Sequence, residues 1–376
     1  MSDPLPLSAQ LSAAFVAFTI EADNAAEQRV SHRTTAFGST GERGAVWLAS
    51  LAMWFNCVGP LADAGGELTA PALQARARMT TNLDGMRRWG YITIDGTGRV
   101  PRRPGGAGRP HAKAGSVLAL TERGAAVDAL WRPLPGVIEQ RWRDRFGAGA
   151  VERLRVALLA VAADDAAALP DFMPILRVHG GRLAEPEPRD PGARAADAQL
   201  PLVSLLARVL LRFTLNCDRD ARLPLPIWSD LVRVLDPAEP VAVRALPAKT
   251  GVSKEALAMM TGVLENAALL VVEPVTGSGR GRQLRLTADS GVRARAAGAR
   301  RIAATAAAWE ARFGAGLVTE LRAALEPLVG DGTGDGSPLF AGLDPEADGW
   351  RARVKPPRLL PWYPLVLHRG GYPDGR

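Results

Sequence analysis

The chain has 376 residues, of which 47% are hydrophobic and 23% are charged, and it contains two cysteines. This composition is typical of folded globular domains, and the length allows two domains of ordinary size. Two cysteines argue against a disulfide framework and against a duplicated cysteine metal site. The formal charge of +7 favours a polyanionic partner, although an arginine-rich composition alone raises the charge in the same way.

The first half of the chain combines long helices with a short polar region. Residues 7–20 have apolar side chains at helical spacing, which predicts a long helix with one buried face. Residues 73–90 predict a helix, a turn and a second helix, followed by a loop over 97–113 that is rich in glycine, proline and arginine. The segment LTERG at 120–124 leads into a second long apolar-faced helical segment, residues 137–162.

An internal repeat organises the sequence. WRDRFGAGAVERLRVAL begins at Trp142, and WEARFGAGLVTELRAAL begins at Trp309. Three further pairs match: Phe18-Thr19 with Phe213-Thr214, LALT at 118–121 with LRLT at 284–287, and Trp47 with Trp228. Each copy also ends in a tail with prolines and an aromatic residue, at 169–181 and 360–371. Two copies at so long a period predict a paired domain, and the greater length of the first copy predicts insertions in it.

The second half shows the same order of elements with clearer signals. Helical spacing predicts helices over 200–215, 227–235 and 243–248. A sharp turn at 250–253 follows, with Ser253 as the N-cap of a helix over 254–266. Two β-rich runs, 269–273 and 282–287, flank a glycine-rich tip at 274–281 and predict a hairpin. Residues 292–328 then predict two helices that are separated at Gly314-Ala315-Gly316.

This order of helices, helix–turn–helix, hairpin and long final helices resembles the winged-helix regulators of the MarR family. In the second copy the resemblance is carried by residues 246–269, the hairpin up to Arg285, and Leu286-Thr287. In the first copy it is carried by residues 73–90 and by LTERG at 120–124. Members of that family are usually homodimers with one winged helix per subunit, and their terminal helices form the dimer interface. The resemblance covers both copies and implies that one chain holds both halves of such a dimer.

We therefore expect a mainly α fold with small β wings (α+β), in which two tandem winged-helix repeats form a pseudo-two-fold intramolecular dimer. Residues 1–184 are the first repeat, 185–198 a proline-rich and charged linker, 199–330 the second repeat, and 331–376 a Gly/Pro-rich tail. The long helices pair within the chain, so a monomer is expected. Short hydrophobic runs and an amino terminus without a signal-peptide pattern predict a cytoplasmic protein with no membrane partner.

The candidate partner is double-stranded DNA. A recognition helix presents side chains to base edges, and Arg or Lys side chains on wings neutralise phosphates. The first copy has more side chains that can contact DNA. The exposed positions of the second recognition helix include Ala258, Met259 and Gly262, which cannot form paired hydrogen bonds with a base. The competing interpretation of the first wing is a merely solvated loop. The candidate DNA-binding residues are Arg76, Arg78, Thr80, Thr81, Asn82, Arg87, Arg88, Arg102, Arg103, Arg109, Ser253, Lys254, Arg280 and Arg282.

A small aromatic effector is a second candidate partner. Family members often bind such molecules, and Trp47, Trp54 and Trp228 could line a pocket between the copies; core packing is the competing interpretation. The four histidines show no metal-ligand spacing, so neither a metal nor a cofactor is expected. Cys217 has no clearly arranged basic neighbour, which favours an inert thiol.

Two classes of function remain open from the sequence. The leading hypothesis is a sequence-specific transcription regulator that binds DNA through unequal winged helices. The alternative is a protein-interaction module that has kept this fold and lost base-specific reading. An enzyme is not expected, because the sequence shows no nucleophile–base pair, no glycine-rich phosphate loop and no metal cluster.

Overall fold

The computed structural model describes residues 5–29, 32–34, 38–39, 46–47, 49–79, 83–96, 115–163, 169–174, 197–219, 221–275, 281–333, 336–345 and 357–364. Within these ranges the chain is mainly helical and has three small three-stranded sheets. The expected class, mainly α with small β elements, is confirmed. Most of the linker expected over 185–198 lies outside the described residues.

The first half begins with α1 (Leu7–Glu27), whose residues are buried along the whole helix. Three short strands, β1 (His32–Thr34), β2 (Gly38–Ser39) and β3 (Val46–Trp47), then form a sheet in the order β2-β1-β3. The other elements of this half are α2 (Leu51–Met53), a π-helical turn (Trp54–Val58), α3 (Gly59–Ala62), β4 (Glu67–Thr69), α4 (Ala70–Ala77), α5 (Leu83–Arg88), β5 (Ile92–Ile94), β6 (Val117–Leu120), α6 (Glu122–Trp131), α7 (Leu134–Phe146) and α8 (Ala148–Ala162).

The second half lacks a counterpart of the β1–β3 sheet among its described residues. Its elements are α9 (Leu202–Asp218), α10 (Leu225–Val232), β7 (Val241–Ala242), a 3-10 turn (Val243–Ala245), α11 (Leu246–Thr250), α12 (Lys254–Asn266), β8 (Leu270–Pro274), β9 (Arg282–Leu286), α13 (Ser290–Phe313), α14 (Ala315–Val329) and a final 3-10 turn (Pro338–Gly342). The helix expected over 254–266 has those bounds, and Ser253 is its N-cap, as expected.

The two halves share one order of elements. A first long helix is followed by a short helical region, a short strand, two helices, two strands and long final helices. Both sheets are antiparallel and place the last strand in the centre, in the orders β4-β6-β5 and β7-β9-β8. Strands β4 and β7 have only three and two residues, too few to show alternation in the sequence, so they were not predicted. The insertions expected in the first copy lie between α1 and α2 and between β5 and β6.

The Leu-Thr segment that ends each hairpin has a structural explanation. In the first half Thr121 caps α6, because its Oγ1 accepts a hydrogen bond from the Gly124 amide at 3.1 Å and donates to the Gly90 carbonyl at 2.7 Å. A Cβ atom at Gly124 would overlap the carbonyl oxygen of Tyr91, so only glycine allows the helix to lie this close to the preceding chain. The same arrangement in the second half uses Thr287, Gly291 and Leu269.

The repeated tryptophans anchor both halves in the same way. Trp142 packs edge-on against Phe18 and Phe146, with ring centroids 5.3 and 5.5 Å apart, and its Nε1 donates to Glu21 at 2.9 Å. The corresponding contacts of Trp309 are with Phe213 at 5.2 Å, Phe313 at 5.3 Å and Asn216 Oδ1 at 3.0 Å. The sequence match therefore reflects one conserved packing arrangement between the first helix and the penultimate helix of each half.

Four long helices join the halves. Helix α1 packs against α9 and α14, and α8 packs against the same two helices. Arg155 on α8 donates to the carbonyl of Leu200 at 2.6 Å, just before α9, and Arg322 on α14 donates to the carbonyl of Leu5 at 3.3 Å, just before α1. Each half therefore binds the start of the other half's first helix. The expectation that the long helices pair within the chain is confirmed.

Two glycines divide the final helices. Gly314 (φ 84°) separates α13 from α14, which confirms the break expected there, and Gly147 (φ 89°) separates α7 from α8 inside the segment expected as one helical run. Both have a positive φ, which L side chains rarely adopt.

Candidate nucleic-acid interface

Helices α4 and α5 lie in the region that the sequence predicts as a helix–turn–helix in the first half. Thr69 caps α4, because its side chain accepts from the Ala72 amide at 3.3 Å. Arg76 is exposed on α4, and its Nη2 lies 3.5 Å from the Asp63 carbonyl oxygen. Arg88 is exposed at the end of α5, with its guanidinium 5.5 Å from the centre of the Trp89 ring. These two arginines place positive charge on the exposed surface of α4 and α5.

Two other arginines of this region have partners within the chain. Arg78 follows α4 in a left-handed conformation (φ 56°), and its Nη1 donates to the Leu169 carbonyl at 2.7 Å. Arg87 is only 5% exposed and lies 3.6 Å from Asp84. We therefore do not include Arg78 and Arg87 in the surface proposed below. The candidates Thr80, Thr81 and Asn82 lie outside the described residues.

Helices α11 and α12 form the corresponding region of the second half. Gly251 follows α11 with φ 74°, at the position that Arg78 occupies in the first half. Ser253 is 3% exposed, and its hydroxyl accepts a hydrogen bond from the Ala256 amide at 3.2 Å, so this side chain caps α12. Lys254 is exposed and lies 3.6 Å from Glu255. The exposed start of α12 thus carries one positive and one negative charge.

The hairpins differ between the halves. Asp95 closes the base of the β5–β6 hairpin, where it accepts from Ser116 Oγ at 2.9 Å and from the Val117 amide at 2.8 Å. Arg282 begins β9, is exposed and lies opposite Pro274 of β8. The tips of both hairpins, with the candidates Arg102, Arg103, Arg109 and Arg280, lie outside the described residues.

The tryptophans lie in separate places. Trp54, which follows α2, is 8% exposed, and its Nε1 donates to Asp128 at 2.9 Å. Trp228 on α10 is 7% exposed and packs directly on Gly298, where a Cβ would overlap its ring. The side chain of Trp47 is outside the described residues. The contacts of Trp54 and Trp228 are each made with residues of their own half.

The pairing of Trp47 with Trp228 in the repeat is wrong. Trp47 lies on strand β3, whereas Trp228 lies on helix α10. The backbone amides of Leu51 and Leu225 bind the matching carboxylates Asp23 and Asp218, and Trp54 and Trp228 each follow three residues later. Sequence similarity alone misled the alignment because the β1–β3 insertion contains a tryptophan of its own.

Burial perturbs the pKa values of several groups, among them Asp218 at the end of α9. Burial raises the pKa of Asp218 to about 6, although the Leu225 amide and nearby Arg301 favour the charged form. Burial also raises the pKa of the Cys217 thiol, and the thiol of Cys57 is raised to a pKa of about 12. Both thiols are therefore protonated and poorly nucleophilic at neutral pH. Among the described residues no group of His, Cys, Asp and Glu side chains is arranged to hold a metal ion.

An open groove of about 650 Å³ lies between β4, β6 and the start of α6. Its charged lining residues are Glu67, Glu122 and Asp128, all of them acidic. Negative charge disfavours phosphate, so we do not include this groove in a DNA surface.

Sequence reasoning missed the residues that join distant parts of the chain, such as Arg155, Arg322 and the fully buried Asp230 on α10. The repeat of Arg155 at Arg322 was visible, but its role depends on a backbone carbonyl in the other half.

Comparisons with family models, with curated proteins and with solved structures found no match to this chain. In the part of the chain that the structure describes, no helix combines the length and apolar character needed to cross a membrane.

Proposed function

We propose that this chain is a transcription regulator that binds duplex DNA as a single-chain pseudo-dimer, through two unequal winged helices. The observation that carries the proposal is the recurrence, in both halves, of two short helices followed by an antiparallel hairpin in a three-stranded sheet. We interpret this order of elements as a winged helix, in which the second helix would enter the major groove and the hairpin would contact the phosphate backbone.

The joined helices support a two-site binder. Helices α1, α8, α9 and α14 pack together, so one helical bundle carries both candidate recognition helices. A protein with two such units binds two half-sites whose separation mirrors its own geometry. Arg155 and Arg322 make matching contacts, each with the opposite half of the chain. Such reciprocal contacts are expected if the chain is a fused dimer.

The two units differ in their surface chemistry. In the first, Arg76 and Arg88 are exposed, and the hairpin tip adds Arg102, Arg103 and Arg109 in sequence. In the second, the exposed residues of α12 include Lys254, Glu255, Ala258 and Glu265. We therefore assign most of the DNA affinity to the first unit, and we assign Lys254, Arg280 and Arg282 to phosphate contacts of the second.

Binding of a random-sequence duplex at several salt concentrations tests the electrostatic part of the proposal. Replacing Arg102 and Arg103 by Ala should weaken binding to all sequences and reduce the slope of log K against log salt by about 0.9 for each lost phosphate contact. Replacing the exposed Arg141 and Arg153 of α7 and α8 by Ala removes the same charge outside both units and serves as the control. Equal effects of the two double variants would contradict the proposed surface.

Selection from a pool of random duplexes tests base reading. We expect an imperfect palindrome with one strongly specified half-site, because α12 exposes few side chains that can form paired hydrogen bonds with a base. Replacing Asn82 by Ala should then cost about 1–3 kcal/mol on the preferred sequence and little on others. Two equally strong half-sites would refute the assignment of unequal units.

A protein-interaction module is the second candidate function, and the mixed charge of α12 favours it for the second half. Glu255 and Glu265 are exposed on this helix, as is Lys254, and acidic side chains are repelled by phosphate. If selection returns no enriched sequence and binding shows no salt dependence, this function replaces DNA binding.

An effector site is the last element of the proposal, and Trp228 is its best-supported residue. The buried indole Nε1 of Trp228 has no hydrogen-bond partner among the described residues, whereas Trp54 at the matching position donates to Asp128. The Arg301 guanidinium lies 5.6 Å from the centre of the Trp228 ring and could neutralise an anionic group. Titration with aromatic carboxylates, followed by tryptophan fluorescence of the protein and of Trp228→Phe, tests this assignment; identical curves would refute it.

A further inference from the structure

One described segment of the carboxy-terminal tail, residues 357–364, lies against the first helix of the opposite half. Ser8 Oγ of α1 and Tyr363 Oη share a hydrogen bond of 2.7 Å, and Ser12 Oγ donates to the Pro361 carbonyl at 2.6 Å. The Tyr363 side chain is 1% exposed, so these bonds are shielded from water. The segment is thus fixed to α1 by two buried hydrogen bonds that join opposite ends of the chain.

The same segment is bound to α10, the helix that precedes the helix–turn–helix region of its own half. Asp230 on α10 is fully buried and accepts hydrogen bonds from the backbone amides of Trp362 and Tyr363, both at 3.0 Å. Arg233 lies 3.2 Å from Asp230 and 4.7 Å from the centre of the Trp362 ring. A hydrogen bond from Arg233 Nη2 to the Thr250 carbonyl at 3.3 Å extends this network to the turn between α11 and α12.

The turn itself touches the segment. A Cβ atom at Gly251 would lie 2.5 Å from the Leu359 carbonyl oxygen and 2.7 Å from the Leu360 carbonyl carbon. The segment therefore lies directly on the turn of the helix–turn–helix and on α1 at once.

Residues 169–174 make the corresponding contacts in the first half. Arg78, at the position of Gly251, donates to the Leu169 carbonyl at 2.7 Å. Asp171 forms an ion pair with Arg208 on α9, the first helix of the opposite half. Phe172 is buried and packs on Phe15 and Phe55, with ring centroids 5.0 and 5.1 Å apart. This segment also joins the turn of its own half to the first helix of the other.

We propose that residues 169–174 and 357–364 are reciprocal straps, which set the distance and relative orientation of the two helix–turn–helix regions by tying each region to the opposite half. The helical bundle holds the halves together, and the straps restrict how each region can rotate on it. This role concerns the conformation of the chain and does not depend on DNA binding.

Distance measurements between spin labels test the second strap in the full-length chain. Labels are attached at Arg88→Cys and Lys254→Cys, two exposed positions, after the buried Cys57 and Cys217 are replaced by Ala. Replacing Trp362 and Tyr363 by Ala should broaden the distance distribution. Phe340→Ala, an aromatic truncation in the final 3-10 turn outside the strap, is the matched control and should leave the distribution unchanged.

Hydrogen exchange gives the second measurement. The double variant Ser12→Ala with Tyr363→Phe removes both hydrogen bonds between α1 and the strap and preserves most of the shape of the strap. It tests the proposal if the variant with Ala at both Trp362 and Tyr363 does not fold. Because loss of both hydrogen bonds makes local opening of the strap easier, exchange of the Trp362 and Tyr363 amides should accelerate by about tenfold or more, and the distribution of label distances should broaden. Unchanged label distances despite faster exchange would overturn the proposal, as would equal broadening in the Phe340→Ala control.

Discussion

Gly251→Ala should be strongly destabilising, for two reasons that the structure separates. Gly251 has φ 74°, and an L residue in the left-handed region costs about 1–2 kcal/mol. The added Cβ would also lie 2.5 Å from the Leu359 carbonyl oxygen, a backbone atom that can move only if the strap moves. Movement of the strap weakens the two amide hydrogen bonds to buried Asp230, and a buried acceptor left without its partner costs about 1–3 kcal/mol.

The expected loss in the free energy of unfolding is therefore about 3 kcal/mol or more, measured by urea denaturation followed by tryptophan fluorescence. Gly262→Ala is the control, because Gly262 lies inside α12 and a Cβ there meets nothing within 4 Å. That substitution should stabilise the protein by about 0.5–1 kcal/mol, since alanine loses less backbone entropy in a helix. A Gly251→Ala protein within about 0.5 kcal/mol of the unmodified chain would refute the contact between strap and turn.

Three further predictions concern association, pH and the first strap. Because the long helices pair within the chain, light scattering at low micromolar concentration should give one 39.8 kDa unit, and a mass of twice that value would contradict the intramolecular pairing. The pKa of Asp218 is raised to about 6 from an unfolded value of about 3.9, so the folded state binds more protons between these pH values and stability falls as pH rises through that window. The free energy of unfolding of Asp218→Asn should not fall in this way. Measured by urea denaturation, the stability of this variant relative to the unmodified protein should therefore increase from pH 4 to pH 7, and a difference that does not change with pH would contradict the assignment. Arg78→Gly should be about 1 kcal/mol more stable than Arg78→Ala, because both lose the bond to Leu169 and only alanine keeps the left-handed strain; equal stabilities would contradict this account.

Much of the candidate interface was predictable because its signals are local. Ser253 followed by apolar residues at helical spacing was enough to predict the bounds of α12, and the β-rich runs around a glycine-rich tip predicted the hairpin of the second half. In the first half the six residues of α5 gave a weaker signal, and its bounds could not be assigned from spacing.

The surroundings of individual side chains could not be predicted from the sequence, because residue type does not determine a partner. Arg78 and Arg87 have the same chemistry as Arg88 in the sequence, yet Arg78 binds the Leu169 carbonyl and Arg87 is buried beside Asp84. Whether they also contact DNA stays a prediction. The Trp47–Trp228 pairing was wrong for a related reason: similarity of letters cannot show that one tryptophan lies on a strand and the other on a helix.

The sequence by itself determined the duplication, the mainly helical class and the order of the main helices and hairpins, because periodicity, caps and turn residues act over a few positions. Only the tertiary structure decided how the copies meet. Arg155 reaches Leu200, Arg322 reaches Leu5, and Tyr363 bonds to Ser8, and nothing near any of these residues in the sequence specifies its partner. Such contacts depend on how four long helices pack together, which is a property of the whole chain and not of any one segment of it.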